Sequence, residues 1–218
     1  EPFFLYCPWT PPHAAYQIPE DEPAWKIYKD KPWGKDAKVA AAMDTMMDRQ
    51  VGEITALLKK LGIYENTLMF FTSDNGAAKR FDGIHNSCGV MQGHKRSLNE
   101  GGIRVPMVVR WPGKIKPGRV SDHLWYFPDV MPTLAELTGT RAVKDTDGLS
   151  IVPELLGAKA SGRKQAQHKY LFWELGNQSA VRMGDWKAIR PRPNAAWELY
   201  DLKNDISEAH NVSADNPK

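Results

Sequence analysis

The stretch Thr67-Leu-Met-Phe-Phe-Thr-Ser-Asp-Asn-Gly76 decides the predicted fold. Its apolar run, Leu68–Phe71, is typical of a buried parallel strand. The run ends at Asp74, Asn75 and Gly76, and open α/β sheets bind their ligands beyond the carboxyl ends of the strands. A carboxylate and an amide oxygen on adjacent residues suit Ca²⁺ or Mg²⁺. Because Asp-Asn-Gly is also common in turns, the segment alone predicts either a metal site or a turn.

A long amphipathic helix is predicted before this strand. Apolar residues recur at three- and four-residue steps from Val39 to Leu61 and form one stripe. Asp36 is expected to cap the start of the helix, and Gly62 is expected to end it. A helix followed by a buried strand is half of a βαβ unit, so the pattern predicts an α/β fold.

The rest of the chain is predicted to divide into two domains, residues 1–167 and residues 168–218. In the first domain, Phe3–Cys7 and Val105–Trp111 are expected to be strands, and Phe127–Leu137 a helix closed by Gly139. The second domain is expected to be a small antiparallel sheet with a tight hairpin at Gly184-Asp185. Its predicted strands are Tyr170–Leu175, Ala180–Met183, Trp186–Arg190 and Glu198–Leu202.

Two long segments lack the periodicity of helices and strands. Residues 8–33 contain six prolines, and residues 76–102 contain six glycines. Both are predicted to be irregular loops, and long ordered loops are often functional.

Composition excludes several classes of protein. The chain has 218 residues, of which 42% are hydrophobic and 25% charged, and its formal net charge is +3. This charge is too small to indicate nucleic-acid binding. No apolar run reaches the roughly 20 residues that span a membrane. The two cysteines, Cys7 and Cys88, cannot form a disulfide framework and are expected to be small buried hydrophobic residues.

Several segments resemble the sulfatase family, and they follow the family's order along essentially the whole chain. Phe3 to His13 is similar to the sulfatase strand and loop that carry an active-site histidine. Phe71 to Gly76 resembles the family's calcium-binding strand end. The stretch Gly93-His-Lys-Arg-Ser-Leu-Asn-Glu-Gly-Gly-Ile-Arg-Val-Pro106 is similar to the one that carries an active-site lysine. The resemblance implies an alkaline-phosphatase-like mixed sheet flanked by helices, with the small C-terminal antiparallel sheet appended.

The resemblance also implies a function, that of a sulfuric ester hydrolase. His13 would contact the sulfate or the leaving oxygen, and Lys95 would hold a sulfate oxygen as a point charge. Asp74 and Asn75 would be two ligands of Ca²⁺, with Mg²⁺ as the alternative. An amide at the second position favours one hard ion over a two-zinc centre, which histidine would suit.

Weaker assignments go to polar residues near Lys95. His94, Arg96 and His85 are candidate substrate contacts. Glu100 and Arg104 are expected to fix the loop through hydrogen bonds.

The family's nucleophile motif is absent from these residues. Sulfatases oxidise the first residue of Cys-x-Pro-x-Arg or Ser-x-Pro-x-Arg to formylglycine, and neither Cys7-Pro8-Trp9 nor Cys88-Gly89-Val90 fits. The chain is therefore expected to be the C-terminal portion of a sulfatase and to be inactive alone. The formylglycine would lie in a missing N-terminal half of the same domain.

Two alternatives remain open, a phosphonate or phosphodiester hydrolase of the same superfamily and a catalytically incompetent fragment. The expected substrate is a sulfated small molecule or glycan, with no nucleic-acid partner and no membrane span. Family habit predicts a periplasmic or secreted location.

Overall fold

The computed structural model describes residues 1–141 and 144–216, and the chain divides into two compact units. The first unit consists of Glu1–Thr67 and Arg80–Ser87. The second consists of Leu68–Lys79 and Cys88–Lys218. The predicted boundary between residues 167 and 168 stays a prediction.

One long helix organises the first unit. Helix α2, Lys35–Lys60, follows the short helix α1, Trp25–Tyr28, and Gly62 at φ 71° ends it as predicted. The predicted cap is wrong, because the helix begins one residue earlier and Gly34 stands at the N-cap without a side-chain bond. The buried stripe of α2 consists of Ala37, Val39, Ala40, Ala42, Met43, Met46 and Leu58.

Aromatic contacts join the proline-rich segment of this unit to residues 80–87, which include the short helix α3, Asp82–His85. The ring centroids of Tyr16 and Phe81 lie 5.0 Å apart, and those of Trp33 and His85 lie 5.2 Å apart. These edge-on contacts give an otherwise irregular loop fixed packing partners.

The strand predicted at Phe3–Cys7 does not form. The side chains from Phe3 to Tyr6 are exposed, and among the described residues no strand pairs with this segment. An apolar sequence favours a strand, but a strand also needs a neighbour for its backbone donors and acceptors. The burial predicted for Cys7 is also wrong, because this residue is half-buried, whereas Cys88 is buried as predicted.

The second unit contains a two-stranded sheet formed by β1, Met69–Thr72, and β2, Met107–Arg110. The two strands run antiparallel, with Phe70 opposite Val109. The predicted buried parallel strand is therefore wrong in direction, and β1 is half-buried along its length. An apolar run predicts that a strand forms, but it does not specify the direction of its partner. The short helix α4, Glu100–Ile103, precedes β2.

A buried carboxylate closes the turn before the next long helix. The 3₁₀ turn Phe127–Asp129 continues into α5, Val130–Thr138, which Gly139 ends at φ 67°, as predicted. The Asp129 side chain is fully buried. It accepts the backbone N–H groups of Tyr126 and Leu149, and its Oδ1 lies 2.9 Å from His168 Nε2. Two short helices follow, α6 at Val152–Leu156 and α7 at Ala158–Ser161.

The C-terminal strands form a four-stranded antiparallel sheet in the order β3-β4-β5-β6, as predicted. Gly184, at φ 59°, turns the hairpin between β4 and β5. One face of this sheet packs on Leu98 through Ala180, Ile189, Tyr200 and Leu202. The strands are β3, Leu171–Leu175; β4, Gln178–Met183; β5, Trp186–Arg190; and β6, Glu198–Asp201. Among the described residues no helix combines the length and apolar character needed to cross a bilayer.

Candidate functional site

Just beyond β1, the side-chain oxygens of Asp74 and Asn75 have no hydrogen-bond or ion-pair partner among the described residues. The backbone bends at Asp74 and Asn75, and the Ser73 hydroxyl donates to the Asn75 carbonyl at 2.9 Å. Asp74 is exposed and Asn75 half-buried. Within residues 1–141 and 144–216, no hydrogen bond or ion pair engages either side chain. The side-chain oxygens of both residues are therefore available to a ligand.

Closely packed glycines hold this bend against the segment around α4. The Gly76 N–H donates to the Gly102 carbonyl at 2.9 Å. A Cβ added to Gly76 would lie 1.8 Å from the Gly101 carbonyl oxygen, and one added to Gly102 would lie 2.1 Å from the Ser97 carbonyl oxygen. The backbones can approach this closely only because these residues carry no side chains.

Lys95 lies in a tight turn beside the same bend. Its backbone N–H donates to the Ala77 carbonyl at 2.8 Å, and Ser97 N–H closes the turn on His94 at 2.9 Å. Arg96 has φ 77°, which is the conformation that a type II turn requires at its third residue and that glycine usually supplies. We call residues 94–97 the lysine turn. The backbone of this turn lies next to the strand end that carries Asp74 and Asn75.

The C-terminal sheet binds the lysine turn through Gln178 on β4. The Gln178 side-chain amide donates to the Arg96 carbonyl at 3.0 Å, and its oxygen accepts the Leu98 N–H at 3.4 Å. One side chain therefore holds the backbone on both sides of Ser97.

A buried ion network binds α4 to the same sheet. Glu100 and Glu208 are each 2% exposed, and Lys187 is 0% exposed. The Lys187 Nζ lies 2.8 Å from Glu100 Oε1 and 2.9 Å from Glu208 Oε1. Arg104 and Arg182 each place an Nη1 3.4 Å from Glu100 Oε2. The prediction that Glu100 and Arg104 fix the loop through hydrogen bonds is confirmed.

Glu208 also binds the backbone at the start of α4. Its Oε2 accepts the backbone N–H of Glu100 at 2.7 Å, which is the first residue of α4. Burial raises the pKa of the Glu208 carboxyl, although Lys187 and the Glu100 N–H act in the opposite direction. A buried carboxylate that forms an ion pair with an ammonium and accepts a backbone N–H is held in one geometry.

The sequence interpretation assigned no role to Gln178, Lys187 or Glu208. The sequence did indicate that Lys187 is buried. It lies two residues before the buried Ile189 on β5, and side chains two residues apart on a strand share one face. A lysine on an inward face needs a buried counter-charge. The sequence could not predict which residue supplies that counter-charge, because Glu100 is 87 residues away in the sequence.

The loop that carries Glu208 depends on Asp205. The Asp205 carboxylate accepts the backbone N–H groups of Ala209 and His210 and the Ser207 hydroxyl. These hydrogen bonds lower the pKa of Asp205 from 3.8 to about 2. A depressed carboxyl pKa stabilises the folded state above pH 3.8, and this contribution is lost as the pH falls from about 4 to about 2.

We expect Asp205→Asn to lower the stability of the full-length protein most at pH 5 and above. Denaturation midpoints of both proteins, measured from pH 6 to pH 2, should converge as the pH falls below 4. Asp215→Asn, a change at an exposed carboxylate, should give no such convergence. A difference between Asp205→Asn and the unmodified protein that stays constant with pH would contradict this assignment.

The remaining candidates divide between the two units. His94 is half-buried and Arg96 is exposed, and both lie in the lysine turn of the second unit. His13 belongs to the first unit, where its side chain is exposed and its Nδ1 lies 2.7 Å from the Ala14 carbonyl. His85 lies in the first unit too, and its Nε2 is buried without a hydrogen-bond partner among the described residues. The convergence of His13 and His85 with the lysine turn stays a prediction.

The donor chemistry at the strand end fits a hard cation. Carboxylate and amide oxygens are typical ligands of Ca²⁺ and Mg²⁺, which take six or more oxygens. Among the described residues no group of three or more His, Cys, Asp or Glu side chains could hold a metal ion. Asp74 and Asn75 would therefore supply only part of the coordination shell of such an ion.

These features place carboxylate and amide oxygens next to a lysine turn just beyond the end of a strand. The sulfatase family model matches residues 1–140, and the model of the N-sulphoglucosamine sulphohydrolase C-terminal region matches residues 92–218. Each match covers more than half of the chain. The chain belongs to the sulfatase family.

Curated relatives agree with this assignment. The chain is 33% identical to an N-acetylgalactosamine-6-sulfatase of Canis lupus familiaris, over 97% of this chain and 38% of that protein. It is 30% identical to an N-acetylgalactosamine-6-O-sulfatase of Bacteroides thetaiotaomicron, over 100% of this chain and 45% of that protein. The chain thus spans less than half of the length of these relatives.

Solved structures show the same fold. A crystal structure of Ps i-CgsB in complex with k-i-k-neocarrahexaose matches with a TM-score of 0.75 and 31% identity, over 94% of this chain and 45% of that chain. A structure of BT4656 in complex with its substrate D-glucosamine-2-N,6-O-disulfate matches with a TM-score of 0.65 and 25% identity, over 86% of this chain and 40% of that chain. The predicted fold class, alkaline-phosphatase-like with an appended antiparallel sheet, is confirmed.

Proposed function

We propose that the protein containing this chain hydrolyses sulfate esters of carbohydrates. The observation that carries the proposal is that the Asp74 and Asn75 side chains, which have no partner among the described residues, lie just before Ala77, whose carbonyl accepts the Lys95 N–H. A divalent cation and an ammonium on adjacent segments form a site for a tetrahedral oxyanion. Relatives named for N-acetylgalactosamine sulfates, and a neighbour holding a disulfated glucosamine, support a sulfated sugar as the substrate class.

Asp74 and Asn75 would bind Ca²⁺, with Mg²⁺ as the alternative. Negative charge increases on the non-bridging oxygens and on the leaving oxygen during sulfate transfer, and fixed positive charge stabilises it. The cation would supply part of that charge by polarising a sulfate oxygen.

Lys95 would supply a second fixed charge. Its side chain is half-buried and has no carboxylate partner among the described residues, so the ammonium remains free for a substrate anion. The backbone bond from Lys95 to Ala77 fixes the origin of this side chain relative to the metal ligands. His13 would contact the sulfate or the leaving oxygen, as the family resemblance implies.

The nucleophile would come from outside these residues. The 218 residues contain no Cys-x-Pro-x-Arg or Ser-x-Pro-x-Arg motif, so a formylglycine, which attacks sulfur in this family, would lie elsewhere in the protein. The residues described here bind and orient the ester.

We expect the full-length protein to release inorganic sulfate from N-acetylgalactosamine 6-sulfate. Lys95→Ala should lower kcat/KM by about 100-fold or more, which is the usual effect of removing one preorganised charge donor. Ion chromatography of released sulfate measures this effect. Lys116→Ala, a change at an exposed lysine of the same unit, is the matched control and should retain activity.

Other substrates separate this proposal from its alternatives. Faster turnover of an aryl phosphodiester than of any sulfate ester would support a phosphodiesterase instead. A preference for steryl sulfate over sulfated sugars would overturn the substrate class but retain sulfate-ester hydrolysis.

A further inference from the structure

We propose that Glu208 and Lys187 are positioning residues for the sulfate site, and that they act by fixing the backbone of α4 and the lysine turn from the C-terminal sheet. This inference rests on the proposed function for its effect on catalysis. Its structural part concerns contacts within one compact unit and can be tested without activity.

The inward face of the C-terminal sheet directs three polar groups at one loop. Gln178, Ala180 and Arg182 alternate on one face of β4, and Lys187 and Ile189 share that face on the paired strand β5. Ala180 and Ile189 pack in the core, while the polar members contact residues 96–100. A face needed only for packing would carry apolar side chains at all of these positions.

Stability alone is a weak reason for such a network. Buried ion pairs can often be replaced by apolar residues without loss of stability, because desolvation offsets the attraction between the charges. Directional contacts are what an apolar replacement cannot supply. Here Glu208 accepts the backbone N–H of Glu100, so it fixes the main chain at the start of α4.

Close backbone packing couples the position of α4 to the positions of Gly76 and the lysine turn. Within α4, the Gly102 carbonyl accepts the N–H of Gly76, and the Gly101 N–H donates to Gln92 just before the lysine turn. A Cβ on Gly101 would lie 2.4 Å from the Gly93 carbonyl oxygen. With no free space between these segments, a shift of Glu100 must move Gly76 or the lysine turn.

Gln178 makes a second, independent connection. It holds the carbonyl of Arg96, the residue with the left-handed φ of 77° next to Lys95. A non-glycine residue in this region costs energy, so the surrounding contacts must hold it there. Gln178 therefore holds the lysine turn directly, while the ion network holds α4, which follows it in the chain.

The test compares variants in the full-length protein by hydrogen exchange and kinetics. Glu208→Ala removes the acceptor of the Glu100 N–H, whereas Glu208→Gln keeps a side-chain oxygen that can accept it. We expect the amides of Gly76 and Lys95 to exchange at least ten-fold faster in Glu208→Ala, and kcat/KM for the sulfate ester to fall at least ten-fold. Glu208→Gln should restore most of both properties.

Asp129→Asn is the matched control for general destabilisation. It perturbs a different buried network, and the hydrogen-bond partners of Asp129 lie outside residues 92–104. At temperatures equally far below each melting point, this variant should leave the Gly76 and Lys95 amides protected. Gln178→Ala gives a second variant that does not alter buried charge, and it should accelerate exchange at Lys95.

The outcomes separate the inference from the proposed function. Unchanged exchange in both Glu208→Ala and Gln178→Ala, with an intact circular dichroism spectrum, overturns the positioning role. Equal acceleration in Asp129→Asn overturns it too, because the effect would then reflect stability alone. Accelerated exchange in a protein that releases no sulfate from any ester supports the positioning contacts and contradicts the proposed function.

Discussion

Gly76→Ala is expected to disrupt the geometry of the strand end and to lower kcat/KM for the sulfate ester at least 100-fold. The added Cβ would lie 1.8 Å from the Gly101 carbonyl oxygen and 2.9 Å from the Gly102 Cα, both of which are backbone atoms. No side-chain rotation relieves such a clash, so one of the two backbones must move. The hydrogen bond from Gly76 to Gly102 would be lost with that movement. Measured kcat/KM and Ca²⁺ affinity of the full-length variant check the expectation.

Gly52→Ala is the matched control, because it makes the same glycine-to-alanine change at a position with space for the added Cβ. Gly52 lies in α2 with nothing within 4 Å of an added Cβ. Alanine is favoured over glycine inside a helix by about 1 kcal/mol, so the melting temperature should rise and activity should remain. If Gly76→Ala kept the kcat/KM of the unmodified protein, the backbones of Gly76 and Gly101 would be less closely packed than described.

Asp74→Ala is expected to remove Ca²⁺ dependence from the full-length protein. Asp74 is the charged member of the oxygen pair at the end of β1, and no protein group neutralises it among the described residues. Removing the only carboxylate of that pair should weaken cation affinity by at least 100-fold, since hard cations depend on ligand charge. Two measurements apply: activity as a function of added Ca²⁺, and the rise in melting temperature that Ca²⁺ produces.

Asp215→Ala makes the same chemical change at an exposed position of the same unit and should leave both titrations unaltered. If Asp74→Ala retained the affinity of the unmodified protein for Ca²⁺, Asp74 would be excluded from the metal site. Loss of activity together with unaltered Ca²⁺ affinity would instead assign Asp74 to substrate binding.

Local patterns were sufficient to predict much of the fold. The apolar stripe of α2 and the left-handed Gly62 follow from the spacing of residues within one helix. The four C-terminal strands follow from alternation and from turn residues such as Gly184. Each of these features depends on neighbours in the sequence, which is why the sequence alone predicts them.

Features that depend on distant partners were predicted less well. The apolar residues Phe3–Tyr6 suggested a strand, but they lie exposed because strand formation depends on a pairing partner elsewhere. The direction of β1 relative to β2 is a property of the pair, so the apolar run did not reveal it.

The candidate site shows the same division. Asp74, Asn75 and Lys95 were identified from short motifs, and the structure adds the backbone bonds between their segments. Their ligand roles stay predictions. Gln178 and Glu208 were not identified, because their contacts to the lysine turn and to α4 join residues 82 and 108 positions apart.

This sequence separation has a consequence for synthesis of the protein. Glu100 is translated 108 residues before Glu208 and 87 residues before Lys187. A nascent chain that has emerged only as far as β2 already contains the lysine turn but none of the C-terminal groups that bind it. Domains generally fold as units as they emerge from the ribosome, and contacts this distant form late. The groups that fix α4 and the lysine turn therefore emerge from the ribosome well after the segments that they hold, and a chain that stops before Gln178 would lack all of them.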